Sequence, residues 1–154
     1  MKRQAPTSWR RGNRGAHTGR LHQTEMSAVN RYDPSQTPDP VAWLELDEQD
    51  RVDRVEGYHC RARVDLPNPT LHATMHVIVE NQLALDDEPV VRALARLRKA
   101  GLSRHDALHA IGSLVAEMIY DLMNLKDTAE ASRARYYAAV ERLDAAQWRN
   151  GSDG

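Results

Sequence analysis

The chain has 154 residues and a formal net charge of −1, a length that allows one domain with a hydrophobic core and is too short for two ordinary domains. It has no apolar run near the roughly 20 residues of a transmembrane helix, and no apolar N-terminal stretch that could serve as a signal-peptide core. The single cysteine, Cys60, cannot form an internal disulfide, and no C-x-x-C pair suggests a thiolate zinc site. We therefore expect a cytoplasmic protein without a membrane segment, in which nitrogen and oxygen atoms would hold any metal.

The first 38 residues differ in charge from the rest of the chain. They carry seven Lys and Arg residues against two acidic residues, and they show no apolar periodicity. Such a segment cannot bury enough apolar surface to offset the entropy cost of ordering, so residues 1–38 are predicted to be a disordered basic tail. This tail is either a solvated segment or an arm for weak nucleic-acid binding. Met26 is an alternative first residue, which would leave out residues 1–25.

Residues 39–148 are predicted to form a helical domain, and residues 149–154 a second disordered tail. Asp39-Pro40, Asn68-Pro69 and Asp87-Glu88-Pro89 are typical helix starts, and Ser103 with Asp106 forms a capping box. Gly101 is a typical residue just after a helix end. No alternating strand pattern occurs, so the fold class is all-α, a four- to five-helix bundle. The predicted helices cover residues 40–44, about 48–63, 69–85, 89–100, 104–124 and 126–147.

The predicted helix at 69–85 carries both core and candidate site residues. Its apolar stripe is predicted to contain Leu71, Met75, Ile78, Gln82 and Leu85. His72, His76 and Glu80 follow one another at four-residue steps beside that stripe.

Five of the seven histidines lie between residues 59 and 109, and four of them form two H-x-x-x-H pairs: His72 with His76, and His105 with His109. Four residues on a helix correspond to about 400° of rotation and about 6 Å of rise, so the two imidazoles of a pair face the same way. Each pair can therefore chelate one ion. His59 is the fifth histidine, near the end of the first long helix.

Short connections make consecutive helices antiparallel neighbours, so the helices that begin at residues 48, 69, 89 and 104 should alternate in direction. Both histidine pairs and His59 then lie at one end of the bundle, where they could bind one or two metal ions. Glu80, Glu117 and Glu56 are nearby carboxylates at helical spacing. Glu80 and Glu117 are candidate additional ligands, and Glu80 is also the candidate general base. Alternatively, Glu80 is a buried partner of His76 or of Arg92.

The donor set is rich in histidine and poor in carboxylate, which favours a transition metal: zinc, or iron, manganese or nickel. If the protein is an enzyme, the simplest reaction is attack of metal-activated water on a small substrate, with a glutamate taking the proton. The alternatives are a non-catalytic metal-stabilised or metal-sensing module that docks a partner, and a metal-free structural protein with a buried histidine cluster. The sequence does not identify the substrate, the protein partner or the oligomeric state.

The motifs of residues 66–125 resemble a bacterial family of unknown function, number 1841. The resemblance rests on N-P-T-L-H-A-T-M-H at residues 68–76, E-N-Q-L at 80–83, H-D-A-L-H at 105–109 and E-M at 117–118. It implies a small helical cytoplasmic protein and no particular activity. By matching positions, it also implies the candidate site residues His72, His76, Glu80, His105, His109 and Glu117. The chain departs from the family in its basic N-terminal extension and in Glu88, where a second proline is expected before Pro89.

Overall fold

The fold was analysed in a computed structural model that describes residues 31–124 and 127–152. These residues form seven helices and no strand, so the predicted all-α class is confirmed. Most of the predicted tail, and with it the weak nucleic-acid arm and the alternative start at Met26, lies outside the described residues. The helices are α1 (Pro40–Glu45), α2 (Glu48–Arg61), α3 (Pro69–Ala84), α4 (Glu88–Lys99), α5 (Arg104–Met123), α6 (Ala129–Arg142) and α7 (Ala145–Ser152).

Helices α1, α2, α3, α5 and α6 start where a side chain satisfies a free backbone N–H group. In each case, the capping side chain accepts a hydrogen bond from the backbone N–H three residues later, which stabilises the first turn. These N-cap residues are Asp39, Asp47, Asn68, Ser103 and Thr128. The hydroxyl of Ser103 also donates to the carboxylate of Asp106 at 2.7 Å, which fixes the start of α5.

The bundle is organised around α3, which contacts α1, α2, α4 and α5. One apolar cluster joins Val79 of α3 to buried residues of α4, α5 and α6, and a second joins Ala73 and Val77 to α1 and α2. Because α3 has neighbours on several sides, its buried face differs from the predicted stripe. Leu71 and Leu85 are 45% and 68% exposed, whereas His76 and Glu80 are buried. The prediction of a core position was wrong for both leucines.

The C-terminal part of the chain also differs from the prediction. The single helix predicted over 126–147 is two helices, because the chain leaves helical geometry at Leu143 and starts again after Asp144. The Asp144 carboxylate accepts the backbone N–H groups of Ala146 and Gln147, so it caps the new helix. Residues 149–152 belong to α7, and the tail predicted from residue 149 therefore starts too early.

The predicted N-terminal tail ends too late. Tyr32 is only 5% exposed and Pro34 is fully buried, although both precede residue 39. The Tyr32 ring contacts the rings of Trp43 and Tyr58, and this tertiary packing orders a segment that has no periodicity of its own. Among the described residues, no helix is both long enough and apolar enough to cross a membrane.

Candidate metal centre

The structure brings five histidine side chains together at one end of the bundle. His59 lies in the last turn of α2, His72 and His76 lie near the start of α3, and His105 and His109 lie near the start of α5. The Nε2 atom of His59 is 3.2 Å from that of His72 and 3.4 Å from that of His105, and the Nε2 atoms of His76 and His109 are 2.9 Å apart. Ring nitrogens of four of them, His59, His72, His76 and His109, all lie within 4.8 Å of one another. The five side chains meet as expected, but the helix directions differ from the prediction. Arg104, His109 and Gly112 of α5 lie beside Glu80, His76 and Met75 of α3, respectively, so the two helices run in opposite directions where they touch and the predicted parallel placement is wrong.

The tautomer of His59 follows from its backbone contact. Its Nδ1 atom is 2.9 Å from the carbonyl oxygen of Val55, one turn earlier on α2. A carbonyl oxygen can only accept a hydrogen bond, so Nδ1 carries the proton and Nε2 carries the lone pair. The lone pair of His59 therefore points at the Nε2 atoms of His72 and His105.

The tautomer of His76 follows from a chain of two hydrogen bonds. The Tyr32 hydroxyl donates to Oε1 of Glu80 at 2.8 Å, and its oxygen lies 3.2 Å from Nδ1 of His76. Burial and the adjacent Glu80 carboxylate raise the pKa of Tyr32 far above its usual value, so the phenol keeps its proton. Because the hydroxyl proton of Tyr32 is donated to Glu80, the Tyr32 oxygen accepts a hydrogen bond from Nδ1–H of His76. The Nε2 atom of His76 then carries a lone pair that points at His109.

Burial also keeps four imidazoles of this cluster neutral, those of His72, His76, His105 and His109. It lowers the pKa of His72 and of His109 to about 4 and the pKa of His76 to about 2, with a smaller contribution from the neighbouring imidazoles. The pKa of His105 is lowered for the same reason. Neutral imidazoles with free Nε2 lone pairs are the form that binds metal ions.

The spacing of the donor atoms fits one metal ion. Imidazole nitrogens bind zinc at about 2.0–2.1 Å, which places neighbouring donors about 2.8–3.4 Å apart for angles between a right angle and the tetrahedral angle. The observed Nε2 separations are 2.9, 3.2 and 3.4 Å. The Nδ1 hydrogen bonds of His59 and His76 to a backbone carbonyl and a tyrosine are also of the kind that orients histidine ligands.

Glu80 is a buried partner of Arg104 and Tyr32. Its two oxygens accept hydrogen bonds from Nη1 and Nη2 of Arg104, both at 2.8 Å, and Oε1 also accepts from Tyr32. The side chains of Arg104 and Glu80 are 5% and 1% exposed. Glu80 is connected to His76 through the Tyr32 hydroxyl, which is close to the alternative of a buried partner of His76. Its roles as a metal ligand and as a general base stay predictions.

Glu117, the other candidate carboxylate, is not brought to the histidines. It lies eight residues after His109 on α5, a rise of about 12 Å and a net rotation of about 80°. There it is exposed and lines a surface groove with Asp121 and Arg135. Glu56 is partly buried and is not among the grouped donors.

Sequence reasoning missed Tyr32 and Arg104. Arg92 was one of the two suggested partners of Glu80, but it pairs with the exposed carboxylates of Glu88 and Glu141. The available signal was Arg104 itself, which directly precedes His105 of the predicted cluster. A carboxylate predicted among apolar residues requires a cation at that level.

Neither a search of curated proteins nor a search of solved structures gave a match. The model of the family described as Domain of unknown function (DUF1841) matches residues 50–142. This range is more than half of the chain and contains all five clustered histidines, Glu80 and Arg104. The chain therefore belongs to this family of domains of unknown function.

Proposed function

We propose that this domain binds a single divalent transition-metal ion through ring nitrogens of His59, His72, His76 and His109, with His105 beside them. The observation that carries the proposal is the orientation of these atoms. The lone pairs of His59 and His76 are directed toward the cluster by hydrogen bonds at Nδ1. The Nε2 atoms of His72 and His105 lie 3.2 and 3.4 Å from that of His59, and the Nε2 atom of His109 lies 2.9 Å from that of His76. A cation among the four grouped histidines would satisfy their lone pairs together.

The size of the cluster supports one ion. Ligands on opposite sides of an ion with bonds of about 2.0–2.2 Å are at most about 4.4 Å apart, whereas two-metal sites separate their ions by about 3.5–4 Å and need a wider donor set. The ring nitrogens of the four grouped histidines lie within 4.8 Å of one another, which is slightly wider than this limit and much too narrow for two ions. All donors are imidazoles, which suit zinc, iron, nickel and copper better than magnesium or calcium.

Metal content is the direct test of this proposal. The full chain, purified without an affinity tag, is expected to contain close to one equivalent of a transition metal by mass spectrometry of the elements. The double variant His76→Ala/His109→Ala should contain almost none. The matched control is His17→Ala/His22→Ala, which replaces two histidines that precede the described residues and should keep its metal. Unchanged metal in the first variant would refute the proposal.

A metal-free cluster is the competing interpretation, since Nε2–H of His109 could donate to Nε2 of His76 across the 2.9 Å separation. The two arrangements differ in one proton. In the metal-free network, His109 carries a proton on Nε2, whereas in the metal site that atom is a ligand. Long-range proton–nitrogen NMR correlations of the histidine rings distinguish these states.

A bound ion would supply Lewis acidity to a reaction at this site. Among the described residues, no carboxylate is grouped with the histidines to act as a base. A non-catalytic docking module is the second candidate function. A pocket of about 350 Å³ opens onto His72, His76 and His109, which gives a small molecule access to the cluster. This access favours a site that receives a ligand over a closed structural metal site.

A further inference from the structure

The pocket beside the histidines has a definite chemical character. It is lined by the histidines His72, His76 and His109 and by the apolar residues Met75, Leu108 and Trp148, among others. None of the residues that line it is an Asp, Glu, Lys or Arg. Its volume of about 350 Å³ is at the small end of the range for ligand sites. The pocket suits a short apolar group that has one end at the cluster.

The charge at the cluster determines which chemical group of the ligand would bind there. The donors are imidazoles, which bind a metal ion as neutral groups, and the charge of the buried Glu80 is balanced by Arg104 at 2.8 Å. A divalent ion held here therefore keeps both positive charges next to apolar walls, where attraction to an anion is much stronger than in water. The other polar side chain of the pocket, Ser113, donates its hydroxyl proton to the Ala110 carbonyl at 2.7 Å. The ion is thus the main attraction for an anionic group.

We propose that this pocket binds a small organic carboxylate, whose carboxylate binds the metal ion and whose apolar body packs against Met75, Leu108 and Trp148. This inference rests on the proposed metal site. Glu80, Arg104 and Tyr32 are not among the pocket residues. Ligand binding and the orientation of His76 therefore use different contacts, and they can be perturbed separately.

The first test compares acetate, butanoate and butanamide on the full chain loaded with Co(II), with binding followed by the visible absorption of the cobalt. Each buried methylene group strengthens binding about fourfold, so butanoate should bind about fifteenfold more tightly than acetate. Butanamide has the same apolar chain without the charge and should not bind measurably. Equal affinities for acetate and butanoate, or equal affinities for butanoate and butanamide, would overturn the inference.

A pocket-filling variant provides the second test. A Cβ atom at Gly112 would lie 3.7 Å from Cβ of Met75, an ordinary contact, so Gly112→Ala adds a methyl group to the wall without a clash. Ala116→Leu extends the same wall by one helical turn. The double variant should keep its Co(II) and its acetate affinity but lose most of the preference for butanoate. If it retains the full preference, the chain of the ligand lies elsewhere and the inference is wrong.

The two proposals fail in different ways. If the wild-type protein does not take up one equivalent of Co(II), the metal site is refuted and the carboxylate pocket with it. If the protein takes up Co(II) but its spectrum does not respond to butanoate, only the pocket is refuted. If the double variant fails to fold, the comparison of the three probes on the wild-type protein decides the question.

Discussion

The buried ion pair between Glu80 and Arg104 provides a quantitative test of how the site is built. Two hydrogen bonds of 2.8 Å join the side chains, and these are 1% and 5% exposed. Removal of one partner from a buried pair leaves an uncompensated charge and typically costs about 3–5 kcal/mol. Glu80→Gln keeps the shape of the side chain, so we expect it to lower the free energy of unfolding by that amount.

The assay is urea unfolding followed by circular dichroism, in the presence of a chelator so that bound metal does not contribute. Arg104→Met should be similarly destabilising, because it leaves the carboxylate without its cation. The double variant Glu80→Gln/Arg104→Met removes both charges, so its loss should be clearly smaller than the sum of the two single losses. A double-mutant cycle thus measures the coupling of the pair directly.

The matched control is Glu141→Gln, which removes a carboxylate that pairs with Arg92. Both of these side chains are nearly half exposed, and pairs of this kind contribute about 0–1 kcal/mol. Two results would contradict this prediction. One is a decrease in the free energy of unfolding for Glu80→Gln that is as small as the decrease for Glu141→Gln. The other is a double variant whose decrease equals the sum of the decreases for Glu80→Gln and Arg104→Met.

Three further predictions concern acid, the tyrosine and the N-terminus. Burial lowers the pKa of His72 and His109 to about 4 and that of His76 to about 2, so below the unfolded-state pKa of about 6.5 the unfolded chain binds more protons than the folded protein. With a chelator present, the free energy of unfolding should therefore be constant above pH 6.5 and fall below it, by at most about 1.4 kcal/mol per pH unit for each histidine. A free energy of unfolding that does not change between pH 7 and pH 5 would contradict this prediction. Tyr32→Phe removes the hydrogen bond that orients His76 and should weaken metal binding about tenfold in competition with a coloured chelator, whereas unchanged affinity would show that Tyr32 only packs. A chain that starts at residue 39 lacks Tyr32 and should melt several degrees lower than one that starts at residue 31, and equal melting temperatures would contradict the observed packing.

Local signals were sufficient for most of the fold. The starts of the helices follow from caps and prolines, because these groups satisfy backbone N–H groups within three residues of the chain. The break at Asp144 has the same kind of cap, but the helical periodicity of Tyr136, Val140 and Leu143 obscured it. The exposure of Leu71 and Leu85 could not be predicted from periodicity, because it depends on which neighbours surround α3.

The histidines of the site could also be predicted, since the two helical pairs and His59 are visible in the sequence, although α3 and α5 run in opposite directions where they touch and not in parallel as alternating helix directions imply. The contacts around them could not. Tyr32 is 48 residues from Glu80 in sequence, and Arg104 is 24 residues from it. Such pairs depend on the final packing of α3 against α5 and against the segment before α1, and neither residue lies on a periodic stripe with its partner.

The contacts of Glu80 with Tyr32 and Arg104, which the sequence did not predict, change the chemistry expected of the site. By spacing alone, Glu80 resembles a general base one turn beyond a ligand, but in the structure hydrogen bonds from Arg104 and Tyr32 occupy both of its oxygens. In the described part of the chain, the carboxylates of Glu117 and Glu56 are not grouped with the histidines either. A reaction at this centre would therefore depend mainly on the Lewis acidity of the ion.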